Sequence, residues 1–245
     1  MNSENAENKI QEYKREASYG TYQIDLEKVY YHKIIKAVNT LSRDTRGKLL
    51  DIACWDGALA AQFLPEREVY GLEGNLSACE KAKGRGIHAQ AVDLEKGLPF
   101  SDATFDCVIA AEIIEHLYDT DFFLREIHRI LQPNGLVVMS IPNIACFSNR
   151  LALLFGKYPR YAEYRAGGAG HIRVYTAPIL KSQLIENGFE VKYYAGCNLP
   201  MPMHSTFIPK WVKRLAAAIG EYFPNISGQT IIAAYKRSGQ KTGNA

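Results

Sequence analysis

Three acids stand at the ends of three short apolar runs: Glu73 after Val69-Tyr70-Gly71-Leu72, Asp93 after Ala91-Val92, and Glu112 after Val108-Ile109-Ala110-Ala111. A carboxylate at a strand end accepts hydrogen bonds from hydroxyls or an amino group, so several on one sheet edge make a cradle for a nucleoside-like ligand. Two histidines follow, His116 four residues beyond Glu112 and His171 after the run Ala166-Gly167-Gly168-Ala169-Gly170. Imidazole takes up a proton near neutral pH, which is what a hydroxyl must lose before it attacks an electrophile.

Such groups need a scaffold that brings strand ends together. Leu49, Leu50 and Ile52 read as a buried parallel strand, and Ala58 to Leu64, bounded by Pro65, reads as the helix packed on it. The turn between them, Ala53-Cys54-Trp55-Asp56-Gly57, faces the ligand, where N–H groups at a helix start and a small residue suit a ribose or carboxylate. Asp51 lies just before this turn. Glu73 comes about 20 residues later, the spacing at which an acid meets ribose hydroxyls, and Gly74 and Asn75 extend its turn. The dinucleotide fingerprint G-x-G-x-x-G is missing, because Ala53 and Trp55 occupy places where glycines are usual. That disfavours an NAD-dependent dehydrogenase.

Taken in order, these segments resemble the class I S-adenosylmethionine-dependent methyltransferases, in particular the broad group that includes ubiquinone and menaquinone biosynthesis enzymes and many sugar and natural-product methyltransferases. The resemblance runs from Leu49 to about Val191. Asp51-Ile52-Ala53-Cys54-Trp55-Asp56-Gly57 resembles the glycine-rich first motif, and Gly71-Leu72-Glu73-Gly74-Asn75 the ribose-binding second. Asp93 and Leu94 fall where the family contacts adenine. Phe105 to Leu117 resembles the fourth-strand motif and places Ala111 and Glu112 at the cofactor, while Leu124 to Gly135 leads into a fifth strand, Leu136 to Ile141. The resemblance implies a Rossmann-like α/β fold: seven strands, mostly parallel, helices on both faces and a terminal antiparallel hairpin. It also implies S-adenosylmethionine as cofactor, bound by Asp51, Ala53, Trp55, Gly57, Glu73, Gly74, Asn75, Asp93, Leu94, Ala111 and Glu112. Trp55 is the main departure; its ring either points away or forms a wall whose face attracts the sulfonium cation.

Composition supports this reading. A chain of 245 residues, 47% hydrophobic, suffices for a full α/β core. Twenty-nine basic and 26 acidic side chains leave a net charge of +3, too balanced to single out nucleic acid as a partner. The polar start and the absence of a long apolar run predict a cytoplasmic protein, a monomer or homodimer without stable membrane insertion. Cys54, Cys79, Cys107, Cys146 and Cys197 form no C-x-x-C pair and read as reduced thiols.

Residues 1–45 are expected to form a helical lid, and residues 46–245 a core with acceptor-capping insertions at about 143–176 and 196–228. The first insertion is basic and aromatic, so Arg150, Tyr164, Arg173 and Tyr175, with Tyr22 from the lid, are candidate acceptor ligands for a sugar-like or anionic small molecule. His171 and His116 are the candidate bases. Glu112 and His116 share an i, i+4 spacing, but sequence places no third ligand, so no metal is expected. The expected activity is methyl transfer to a hydroxyl of a sugar or secondary metabolite. Alternatives are N- or C-methylation of a quinone-like metabolite and a non-catalytic adenosylmethionine-binding partner protein.

Overall fold

The computed structural model describes residues 26, 28–162, 170–200 and 209–237. Seven strands form one sheet: β1 (Leu49–Ile52), β2 (Val69–Glu73), β3 (His88–Ala91), β4 (Phe105–Ala111), β5 (Leu131–Pro142), β6 (Phe189–Gly196) and β7 (Gln229–Lys236), in the order β3-β2-β1-β4-β5-β7-β6. The first five are parallel, and β7 runs antiparallel between β5 and β6. The expected Rossmann-like sheet and terminal hairpin are therefore present.

Alternation along the strands sorts the core into two layers. Leu50, Ile52, Val108, Ala110, Val137 and Met139 pack beneath Phe123, Leu124 and Ile127 of α3 (Thr120–Ile130) and beneath Leu180 and Leu184 of α5 (Ala177–Glu186). Leu49, Cys107, Ile109 and Val138 face Ile34 and Val38 of α1 (Val29–Leu41) and Cys79 and Ala82 of α2 (Leu76–Gly84). Both faces of the sheet are thereby covered, which is what parallel strands apolar on both sides require. All five cysteines are buried free thiols.

Register then builds the site. Ile52 of β1 stands opposite both Leu72 of β2 and Ala110 of β4, so the next residues, Ala53, Glu73 and Ala111, stand at one level at the carboxyl ends of the three strands. Strand order reverses between β1 and β4, where a doubly wound sheet opens its ligand crevice.

Two expected elements differ. Between β1 and β2 there is a four-residue 3₁₀ helix, Ala60–Phe63, in place of a longer α-helix. Gly57, at φ +74°, and Pro65 leave too few residues between them to establish α-helical turns, and the chain settles into one tight turn. Near the end of the chain, the spacing of Trp211, Leu215, Ala218, Ile219 and Tyr222 predicts that this face of α6 (Lys210–Tyr222) packs on the core, yet Ile219 is only half-buried and the other four are exposed. Among the described side chains of α6 the buried positions are the small residues Ala216 and Gly220; a Cβ on Gly220 would lie 2.6 Å from the Asn198 backbone, so a small residue is needed where the helix approaches this closely. Among the described residues no helix is long and apolar enough to cross a membrane.

Candidate active site

The turn after β1 keeps the backbone of a glycine-rich motif without its glycines. Ala53, Trp55 and Gly57 adopt φ of +58°, +51° and +74°. For an L-residue, and above all a bulky one, this region costs about 1–2 kcal/mol, and such strain persists where surrounding bonds impose it. Glu73 supplies those bonds. Its Oε2 accepts the Trp55 N–H at 2.9 Å and its Oε1 the Asn75 N–H at 2.8 Å. One carboxylate thus ties the first motif to the second. Asn75 in turn caps α2 by accepting the Ala78 N–H at 2.9 Å. On the other side of the turn, Arg85 grips the Asp56 carboxylate at 2.8 Å and the Asp56 carbonyl at 2.7 Å. A carboxylate has about four lone-pair sites, so Glu73 retains acceptor capacity for hydroxyls after holding the loop.

Burial dominates the charges here. Asp51 is fully enclosed, and its carboxyl is pushed up to about 8, first by desolvation and then by the nearby Glu73 charge. Glu73 is also raised by burial, against the pull of the Asn75, Trp55 and Gly74 N–H groups.

The end of β4 carries the second group. Glu112 takes a left-handed φ of +52°, and its N–H donates to the Ser140 carbonyl at 3.0 Å. Its Oε1 is buried with no hydrogen-bond partner among the described residues. A 3₁₀ turn, Ile114–His116, then buries Glu115 and directs it at His171, with 3.9 Å between Glu115 Oε1 and His171 Nε2. The His116 and His171 rings meet edge to face at 4.8 Å. Each ring is oriented by a backbone carbonyl: His116 Nδ1 lies 3.2 Å from Gly170 O, and His171 Nδ1 3.3 Å from Tyr161 O. The Glu115 carbonyl accepts the N–H groups of Ile172 and Arg173, both at 3.0 Å, which clamps the returning insertion onto the mouth of β4. Desolvation raises both glutamates, Glu115 well above the carboxylate range with the Glu112 charge adding to it. His171 Nε2 facing a buried carboxyl is placed to handle a proton.

The remaining sequence candidates are placed as follows. Ala111 lies partly exposed beside Glu112 at the crevice. Gly74 has room for a Cβ, its nearest neighbour being the Val92 carbonyl at 3.7 Å. Asp93 lies just past β3, where its carboxylate accepts the Glu95 N–H at 3.2 Å and pairs with Lys96 at 3.4 Å; Leu94 starts the next 3₁₀ turn. Arg150, on α4 (Phe147–Leu154), donates to the carbonyls of Ala145 at 2.7 Å and Asn225 at 3.1 Å. Arg173 donates to the Tyr118 carbonyl. Tyr175 is buried in the core beneath α5, its hydroxyl donating to Gln183 Oε1 at 2.9 Å. Arg173 and Tyr175 tie the first insertion to the core, and Arg150 ties it to the second. Tyr22 and Tyr164 lie outside the described residues. The Tyr161 carbonyl that orients His171 is a main-chain function and leaves no sequence signal.

Comparison with known proteins agrees with this geometry. Residues 23–194 match the family model described as "Methyltransferase domain". The chain is 36% identical over 129 residues to the demethylmenaquinone methyltransferase of Geobacillus stearothermophilus, covering 48% of this chain and 51% of that protein. The chain is 30% identical over 132 residues to the ubiquinone biosynthesis O-methyltransferase of Rhizobium johnstonii, covering 48% of this chain and 53% of that protein. The chain spans about half the length of these curated relatives. Among solved structures, a Thermotoga maritima protein described as an S-adenosylmethionine-dependent methyltransferase and possible histamine N-methyltransferase superposes with TM-score 0.60 at 18% identity, covering 93% of this chain and 96% of that one. The [4+2]-cyclase SpnF superposes with TM-score 0.59 at 20% identity, covering 89% and 87%.

Proposed function

Because this chain belongs to the methyltransferase-domain family, we propose that it binds S-adenosylmethionine across the carboxyl ends of β1, β2 and β4 and transfers the methyl group to a hydroxyl of a small-molecule acceptor, a sugar or secondary metabolite. Two features fit the cofactor to these residues. Glu73 keeps lone pairs for ribose hydroxyls after binding the Trp55 and Asn75 N–H groups, and the orphaned Oε1 of Glu112 is an acceptor for the ammonium of the methionine portion. The cofactor supplies a sulfonium-activated methyl group.

What remains for the protein is positioning, exclusion of water and removal of a proton. An amine attacks through its lone pair, whereas a hydroxyl must lose its proton to become a competent nucleophile. The observation that carries a hydroxyl acceptor is the buried Glu115 against His171, with His116 beside it, at the mouth of the same crevice. Of the expected lid, residues 1–25 and 27 lie outside the described residues and α1 packs on a face of the sheet; what supports a lid at the mouth is Lys28, just before α1, whose charge lowers the Glu112 pKa.

The test is transfer of radiolabelled methyl from S-adenosylmethionine to matched panels of hydroxyl, amine and carbon acceptors. Label recovered as an alkali-stable ether supports the proposal. Label confined to nitrogen or carbon products overturns the hydroxyl assignment, and absence of transfer from protein that binds the cofactor points to the non-catalytic alternative.

A further inference from the structure

We infer that Glu115, His116 and His171 form a binding site for one divalent first-row transition-metal ion at the mouth of the β4 crevice. Sequence spacing supplied no third ligand; the fold does, by returning the insertion so that one ligand atom from each of these residues lies within 4.8 Å of the others. Three further observations point to an ion.

Both carboxylate oxygens of Glu115 are buried without a hydrogen-bond partner among the described residues, on a side chain 2% exposed. An enclosed carboxylate requires a counter-charge or must give up its own, and a coordinated cation meets that requirement. Each histidine, moreover, sets its Nδ1 against a backbone carbonyl, Gly170 O and Tyr161 O. A proton held there puts the lone pair on Nε2, and such an outer partner is the usual companion of a metal-bound imidazole. Finally, the Glu115 carbonyl holds the Ile172 and Arg173 N–H groups, so the residue that offers the carboxylate also fixes the segment carrying His171.

Two imidazoles and one carboxylate, without a thiolate, suit Mn(II), Fe(II) or Zn(II) better than the all-oxygen preferences of Ca(II) and Mg(II). Ligand atoms about 2.1 Å from a common ion stand roughly 3.4 Å apart in tetrahedral geometry, so side-chain rotations that close gaps such as the 3.9 Å between Glu115 and His171 complete the shell. The ion's role rests on the methyl-transfer reading, whereas its binding does not. With His171 Nε2 on the ion, activation of the acceptor hydroxyl would pass from a free imidazole base to the metal, which lowers the hydroxyl pKa so that its proton leaves to solvent. The oxygen electron pair forms the new C–O bond, and the C–S pair stays on sulfur as a neutral thioether.

The experiment uses tag-free full-length chain, stripped with a chelator and titrated with Mn(II), read by calorimetry and by the electron paramagnetic resonance of the free ion. Mn(II) is chosen because it prefers oxygen and nitrogen donors and so avoids the cysteines. One ion per chain is expected, with at least tenfold weaker binding in both Glu115→Gln and His171→Asn; thermal melts verify folding, and His116→Asn replaces either variant that fails to fold. No saturable binding, or binding unchanged in the folded variants, overturns the site. A parallel S-adenosylmethionine titration of the stripped protein separates failure of the metal site from failure of the methyltransferase reading.

Discussion

Replacing Glu73 by glutamine tests whether one carboxylate both holds the first-motif turn and receives the cofactor. The wild-type side chain accepts N–H groups at 2.9 Å from Trp55 and 2.8 Å from Asn75, and the residue is only 9% exposed. Glutamine keeps the shape but can accept through one oxygen only, so one buried N–H is left facing an amide NH2. A hydrogen bond to a charged group contributes about 1.5–3 kcal/mol, and the orphaned donor adds a desolvation cost. Relief of the repulsion between Glu73 and Asp51 offsets part of this. The net expectation is a loss of about 2 kcal/mol in stability, a fall of about 4–8 °C in melting temperature for a chain of this size. Cofactor affinity should fall separately, by about 5- to 150-fold, which corresponds to about 1–3 kcal/mol for a charged acceptor lost from the ribose. Thermal melts and calorimetric titration with S-adenosylhomocysteine read the two effects. A lower melting temperature with affinity within twofold of wild type would reduce Glu73 to a structural brace. If neither changes, the bridge itself is refuted.

Three other outcomes follow from the geometry. Gly57→Ala should destabilise the fold by about 2 kcal/mol, because φ is +74° and the new Cβ would lie 2.4 Å from Ile87 Cδ1, whereas Gly74→Ala should change stability by under about 0.5 kcal/mol; equal urea midpoints would refute the contrast. Asp51 has its folded pKa raised from 3.8 to about 8, so its contribution to stability is full below about pH 4 and declines by about 1.4 kcal/mol per unit until about pH 8. Asp51→Asn should therefore gain stability relative to wild type between pH 5 and 8, and parallel denaturation profiles across that range would contradict the assignment. His171→Gln should leave S-adenosylmethionine affinity within twofold while lowering methyl transfer by about 100-fold or more, as judged by single-turnover rates; an unchanged rate would remove His171 from the chemistry.

The sheet was legible because its strands are short, apolar on both faces and punctuated by acids, a pattern that burial in a parallel sheet imposes. Leu49 to Ile52, Val69 to Glu73 and Phe105 to Ala111 all stand where that pattern put them. The hairpin of β6 and β7 was expected from the family resemblance instead, since β6 is half-exposed and its pairing is antiparallel. Helices near the site were less so. The segment after Gly57 has helical composition, yet its 3₁₀ turn is decided by how little chain separates Gly57 from Pro65. For α6, apolar spacing identified the stripe but not which way it faces, since Gly220 lets the opposite side approach the Asn198 backbone.

At the site, residue type gave the cradle but not its internal bonds. Trp55 is held in a glycine-like conformation by an acid 18 positions away, a constraint invisible in either residue alone. Arginine and tyrosine in the 143–176 insertion suggested acceptor ligands, but the same functional groups serve equally well to tie a loop down, as Arg150 and Tyr175 do. Glu115 and His171 lie 56 positions apart, and only the return of the chain after residue 170 makes them neighbours.

The central claim is that the β1, β2 and β4 strand ends form a cradle for S-adenosylmethionine. Parallel calorimetric titrations of the purified protein with S-adenosylmethionine, S-adenosylhomocysteine and NAD test it most directly. The geometry predicts saturable, micromolar binding of both adenosyl ligands and none of NAD, while silence from both adenosyl ligands, or binding of NAD in their place, would contradict it.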